Sequence, residues 1–141
     1  MTVRRTVTLG IVVLAIGTVA GVTAFALPTD AAEPRTIEVV MRYSRFEPAT
    51  IEVEPGETVR FVVRNDDPID HEFILGDREV QRVHERGTEA YHPPRPGEIS
   101  VAPLETAETT YTFPASSGSL ILGCHLPGHY DYGMRAEVRI A

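Results

Sequence analysis

Cys124-His125-Leu126-Pro127-Gly128-His129-Tyr130-Asp131-Tyr132-Gly133-Met134 is the stretch on which the reading of this 141-residue chain turns. Two short runs suited to β-strands bracket it. Upstream, Leu120 to Gly123 is short and apolar. Downstream, Met134, Ala136, Val138 and Ile140 alternate with Arg135, Glu137 and Arg139. A period of two is the pattern of a strand with one buried face. The segment between is therefore a loop at one end of a sheet. It holds a thiol, an imidazole and a thioether close together, with Pro127, Gly128 and Gly133 to bend the backbone.

Working outward, the same alternation recurs. Ile37, Val39 and Met41 alternate with Glu38, Val40 and Arg42; Thr50 to Val53 is a short strand stopped by Pro55-Gly56. Thr58 to Arg64 sets Val59, Phe61 and Val63 on one face, and Asn65-Asp66-Asp67-Pro68 breaks it. His71 to Leu75 follows as a strand. From Asp77 to Gly97 the pattern is irregular, with room for a helical turn or two over Arg78 to Arg86, and Pro93, Pro94 and Pro96 forbid a regular element. Ile99 to Val101 and Thr109 to Phe113 are further strands. About eight short strands without a long helix or an internal repeat predict an all-β fold, a β-sandwich.

The N-terminus differs in kind. Arg4 and Arg5 precede an uncharged run from Thr6 to Thr29, the layout of an export signal. Ala24-Phe25-Ala26 offers a cleavage site, yet the run is also long enough to span a bilayer as an anchor. The expected organisation is residues 1–26 as signal peptide or membrane anchor, 27–35 as linker and 36–141 as the folded domain, outside the cytoplasm. Beyond residue 26 the chain has 11 arginines and no lysine against 20 acidic side chains, a formal balance of −9. Such a surface excludes nucleic acid as a partner, since phosphates need a basic face. It would suit a basic protein, and serves solubility in any case. The domain is expected to be soluble and monomeric, with any membrane association through the N-terminal segment.

Cys124 is the only cysteine. In an oxidising compartment it is an inert buried thiol, half of an intermolecular bridge, or a metal ligand. A thiolate with imidazoles and a long axial thioether is the donor set that copper uses for electron transfer. Zinc has little use for the thioether and usually wants more thiolates or a carboxylate. A further ligand must come from the remaining histidines, His71, His84, His92 and His125. His71 opens a strand, where a sandwich can bring it beside the Cys124 loop. His84 and His92 lie in the irregular segment and read as surface histidines. His125 should face away from whatever Cys124 faces, partly exposed and on a possible electron path. Asp70 and Glu72 are candidates to orient His71.

The spacing Cys124-x4-His129-x4-Met134 resembles the C-terminal ligand loop of the cupredoxin family, and His71-Glu72-Phe73 resembles its first histidine ligand. Phe46-x-Pro48 and Val53-x-Pro55-Gly56-x-Thr58-Val59 are similar to the early strands of plastocyanin-like domains. The resemblance covers Thr36 to Ala141. It implies a Greek-key sandwich holding one type 1 blue copper through His71, Cys124 and His129, with Met134 axial. The pattern Cys-His-x-Pro-Gly-His-Tyr-x-x-Gly-Met resembles small exported cupredoxins linked to copper tolerance. Those carry His and Met after the first ligand; here His84 and His92 remain and Met is missing, which counts against copper storage.

One-electron transfer to a redox partner protein, with no substrate transformed and so no enzyme activity, is the expected function. The alternative is a copper-tolerance protein that buffers or hands over the metal. A thiol hydrolase built on Cys124 and a histidine leaves Met134 unexplained, and the strands offer no helix N-terminus to activate the thiol. A passive adhesion sandwich would make the ligand loop a coincidence.

Overall fold

The structure, a computed structural model, describes residues 33–87 and 93–141. The expected N-terminal export or anchor helix and His92 lie outside the described residues. Nine strands and one helix follow in the order β1 (Arg35–Met41), β2 (Phe46–Glu47), β3 (Thr50–Val53), β4 (Thr58–Asn65), β5 (His71–Gly76), α1 (Arg78–Gly87), β6 (Glu98–Val101), β7 (Thr106–Thr112), β8 (Gly118–Gly123) and β9 (Arg135–Ile140). They form a four-stranded sheet, β2-β1-β4-β7, and a five-stranded sheet, β3-β9-β8-β5-β6. No helix among the described residues is long and apolar enough to cross a membrane.

The chain passes back and forth between the two sheets, so strands distant in sequence become neighbours. β1 runs parallel to β4, and β3 parallel to β9, while the remaining pairings are antiparallel. Alternation decides which side faces in. Val59, Phe61 and Val63 of β4 are fully buried and meet Phe73 and Leu75 of β5 across the sandwich. The Phe61 ring lies 5.2 Å from that of Phe73 and 6.4 Å from that of Phe113, joining the two layers. In β9, Ala136, Val138 and Ile140 are buried and the arginines and glutamate between them are exposed.

Two sequence expectations need correction. The strand count rises from about eight to nine because Phe46–Glu47 adds a two-residue edge strand beside β1, too short to show any periodicity. The helical turn or two becomes a ten-residue helix. Asp77 starts it, its Oδ1 accepting the backbone N–H groups of Glu79 and Val80. Its one buried side chain is polar: Gln81 donates to the carbonyls of Ile74 and Ile121, on adjacent strands of the larger sheet.

Phe61 carries the contact between the layers. Phe61→Ala is expected to cost about 3–5 kcal/mol in denaturant unfolding, the usual range for emptying a buried aromatic position.

Candidate metal centre

β5 lies inside the larger sheet, between β8 and β6, and all six of its residues are buried. Its antiparallel register with β8 pairs Ile74 with Gly123. Continued one step, that register sets Cys124 opposite Phe73, two residues from the start of β5. Cys124 is the first residue beyond β8 and His71 the first of β5, so two donors 53 residues apart meet at one end of the sheet. The Glu72 N–H donates to Cys124 Sγ at 3.3 Å, tying the sulfur to the neighbouring strand.

The loop after Cys124 closes on itself. Gly128 and Gly133 have φ of 83° and 94°, a region L side chains rarely adopt. A Cβ on Gly128 would also press on the Tyr132 ring at 3.0 Å. These turns let the His129 N–H reach the Leu126 carbonyl at 2.9 Å and the Met134 N–H reach the His129 carbonyl at 2.9 Å. The Cys124 N–H donates to the Met134 carbonyl at 3.2 Å. The main chains of Cys124, His129 and Met134 are thus linked directly, and the Met134 side chain is fully buried.

One nitrogen from each of His71 and His129 and the Cys124 sulfur lie within 4.8 Å of one another. His71 Nδ1 is 3.2 Å from His129 Nδ1, and Cys124 Sγ is 3.2 Å from His129 Nδ1 and 4.0 Å from His71 Nδ1. An ion bound at about 2.0 Å to imidazole and about 2.3 Å to thiolate, in a near-trigonal arrangement, holds such donors about 3.5–3.7 Å apart. The three atoms bracket that spacing. Two imidazoles and one thiolate fit a soft or borderline ion, and copper and zinc both accept them.

The sequence profile described as "Cupredoxin-like domain" matches residues 12–113. The chain belongs to the cupredoxin-like family. That match stops before Cys124, so the loop is an independent observation on the same fold. A "copper-resistant cuproprotein CopI" of Rubrivivax gelatinosus is 40% identical over 121 residues, covering 82% of this chain and 73% of that one. Its namesake in Pseudomonas aeruginosa PAO1 is 32% identical over 151 residues, covering 83% and 82%. Among solved structures, reduced auracyanin of Roseiflexus castenholzii has a TM-score of 0.63 at 21% identity, covering 75% of this chain and 96% of its own. Auracyanin A, a "blue" copper protein of Chloroflexus aurantiacus, has 0.61 at 24%, covering 77% and 99%. At such identities the structural likeness establishes the cupredoxin fold alone.

In this cupredoxin a carboxylate that the sequence did not single out, Asp67, meets His71. His71 Nε2 lies 2.9 Å from Asp67 Oδ2. Glu72 is fully buried and turns toward the loop instead, its Oε2 accepting the His125 N–H at 3.1 Å. Asp67 was hidden in a sequence that reads as a turn, Asp66-Asp67-Pro68; its one signal was the four-residue spacing to His71. Burial alone would raise the Asp67 carboxyl, but hydrogen bonds from Ser44, His71 and Tyr43 outweigh it and hold the group below the usual carboxylate range.

Among the described residues, the other two histidines, His84 and His125, stay out of the cluster. His125 is buried, 6% exposed, rather than partly exposed. Its Nε2 meets Gln81 Oε1 at 2.8 Å and its ring stacks on Tyr130 at 4.6 Å. Gly123 makes room for this arrangement, since a Cβ there would lie 2.5 Å from Gln81 Oε1. His84 is not a surface residue either, with 11% of its side chain exposed. Its Nδ1 lies 2.8 Å from the Val80 carbonyl and its Nε2 3.5 Å from Glu98 Oε2.

Burial sets the titration of the loop. It pushes the metal-free Cys124 thiol up to about 11, so the site binds a metal only as the thiol gives up its proton. Burial also lowers His129, with His71 adding to the effect. His125 falls from 6.5 to about 4, chiefly by burial and then by the nearby His84. Between those values the unfolded chain binds a proton at His125 that the folded chain refuses, so stability declines as pH falls from about 6.5 toward 4. Unfolding of metal-free protein at pH 7 and pH 5 checks this. His125→Gln should lose about 2 kcal/mol less than the parent over that interval.

Proposed function

We propose that this chain is an exported protein that holds one type 1 copper through His71, Cys124 and His129, with Met134 as the axial donor, and passes single electrons. The observation that carries the reading is the convergence of one thiolate sulfur and two imidazole nitrogens within 4.8 Å from two segments of the fold. When bound, copper supplies a one-electron couple tuned by its axial ligand and by the surroundings of the sulfur. The chain's residues do the rest. His71 and Cys124 sit at the ends of paired strands, so little can rearrange between oxidation states. The N–H groups of Glu72 and Leu126 point at the sulfur and restrain its basicity. His129 is half-buried while His71 and Cys124 are sealed, which makes its imidazole the route by which a partner protein reaches the centre. Nothing here demands a general base or an oxyanion hole, so the role is that of a carrier.

A second reading draws on the relatives. Both CopI proteins are described as copper-resistant cuproproteins, and the same ligands would serve a protein outside the cytoplasm that buffers copper or hands it on, with the metal as cargo. Stoichiometry and exchange separate the two. One copper per chain with rapid electron exchange supports the carrier; more than one, or copper passed to an acceptor without redox change, supports tolerance.

Copper-loaded protein is expected to be intensely blue from thiolate-to-Cu(II) charge transfer, and Cys124→Ser to abolish the colour and most Cu(II) affinity. A colourless cupric parent defeats the reading. Met134→Leu should keep copper and raise the reduction potential, because losing the axial donor disfavours Cu(II). An unchanged potential removes Met134 from the ligand set.

A further inference from the structure

We propose that Asp67 is a positioning residue for the metal centre, fixing His71 through Nε2 and setting the balance between the two copper oxidation states. The inference rests on the copper reading above.

Asp67 is buried, with 10% of its side chain exposed, and its carboxylate is filled with donors. Oδ1 accepts the Tyr43 N–H at 2.8 Å; Oδ2 accepts the Ser44 N–H at 2.8 Å and lies 2.9 Å from His71 Nε2. Its main chain is held as firmly. The Asp67 N–H donates to Asn65 Oδ1 at 3.0 Å, and the Leu104 N–H donates to the Asp67 carbonyl at 3.3 Å. Among the described residues three non-glycine residues have positive φ: Tyr43 at 54°, Ser44 at 51° and Leu104 at 59°. All three are the residues whose N–H groups meet Asp67. Tyr43 and Ser44 are the two central residues of the tight turn between β1 and β2, closed by reciprocal main-chain hydrogen bonds between Arg42 and Arg45, and the positive φ such a turn requires aims both N–H groups at the Asp67 carboxylate.

The consequence for His71 is a fixed tautomer. A carboxylate only accepts hydrogen bonds, so His71 carries its proton on Nε2 and leaves Nδ1, the atom facing Cys124 and His129, as a bare lone pair. The charge matters as well. The adjacent Asp66 is neutralised by Arg42 and Arg64, whereas among the described residues the ion-pair contact of Asp67 is His71 itself. Its negative charge is therefore felt through the imidazole at the metal, in a buried site where such a charge favours the more positive ion. Glu72, also buried nearby, is common to the parent and the variants below and cancels in the comparison.

The test compares the parent chain, Asp67→Asn and Asp66→Asn, each copper-loaded, by reduction potential and visible spectrum. The amide keeps size and one acceptor but removes the charge. Asp67→Asn is expected to stay blue and to lower Cu(II) affinity relative to Cu(I) about tenfold, a rise of about 59 mV for a one-electron couple. Asp66→Asn, whose charge is already balanced, should shift the potential far less. A role confined to folding would weaken both oxidation states alike and leave the potential in place. A blue Asp67→Asn with an unchanged or lowered potential overturns the assignment and leaves the copper reading intact; a parent that takes up no copper overturns both. Nitrogen-15 histidine NMR of the parent in its diamagnetic Cu(I) form decides the matter independently should the variant fail to fold. His71 is expected to show a slowly exchanging proton on Nε2, and a bare Nε2 overturns the proposal.

Discussion

The antiparallel pairing of β5 with β8 is the constraint from which the site follows. Strand register is an all-or-none property: a slip of one residue would turn every side chain of β8 to the opposite face and take Cys124 away from His71. The register is held by what lies on either side. Toward the core, Phe73, Leu75 and Leu122 pack against the β4 row of Val59, Phe61 and Val63. On the other side, Gln81 of α1 bonds to one carbonyl on each of the two strands and to His125. The helix thus reaches the same pair of strands that brings the donors together.

Burial then shapes the chemistry. A thiol pushed up to about 11 and a lowered His129 describe a pocket that resists charge on its own. That resistance suits a metal, since an incoming cation replaces protons with a charge the donors can share. It also explains why one carboxylate, Asp67, is so heavily constrained. An anion this close to the site is tolerable only with its hydrogen bonds satisfied, and three donors satisfy it.

Much of this was legible in the chain. The β4 and β9 rows show a clean period of two because one face is buried and the other wet. The Cys124 loop is readable because Cys124, His129 and Met134 lie in one short stretch with glycines to bend it, and in the structure Gly128 and Gly133 take left-handed conformations. His71 was legible by its place at the head of a strand. Features that depend on distant partners were not. The parallel pairing of β1 with β4 and of β3 with β9 leaves no local mark. Helix α1 has no apolar stripe, since its buried side chain is Gln81 and its Val83 is 58% exposed. Asp67 sits before a proline among other acidic residues, where turn chemistry is the obvious reading, and its role appears only when Tyr43, Ser44 and His71 surround it.

The central claim is that two imidazoles and one thiolate, assembled by strand pairing, grip a single copper ion. Copper-edge X-ray absorption on the copper-loaded chain tests it most directly. A short sulfur scatterer together with two imidazole rings is the expected result. A shell of oxygen and nitrogen alone, with Cys124 intact and reduced, would contradict it.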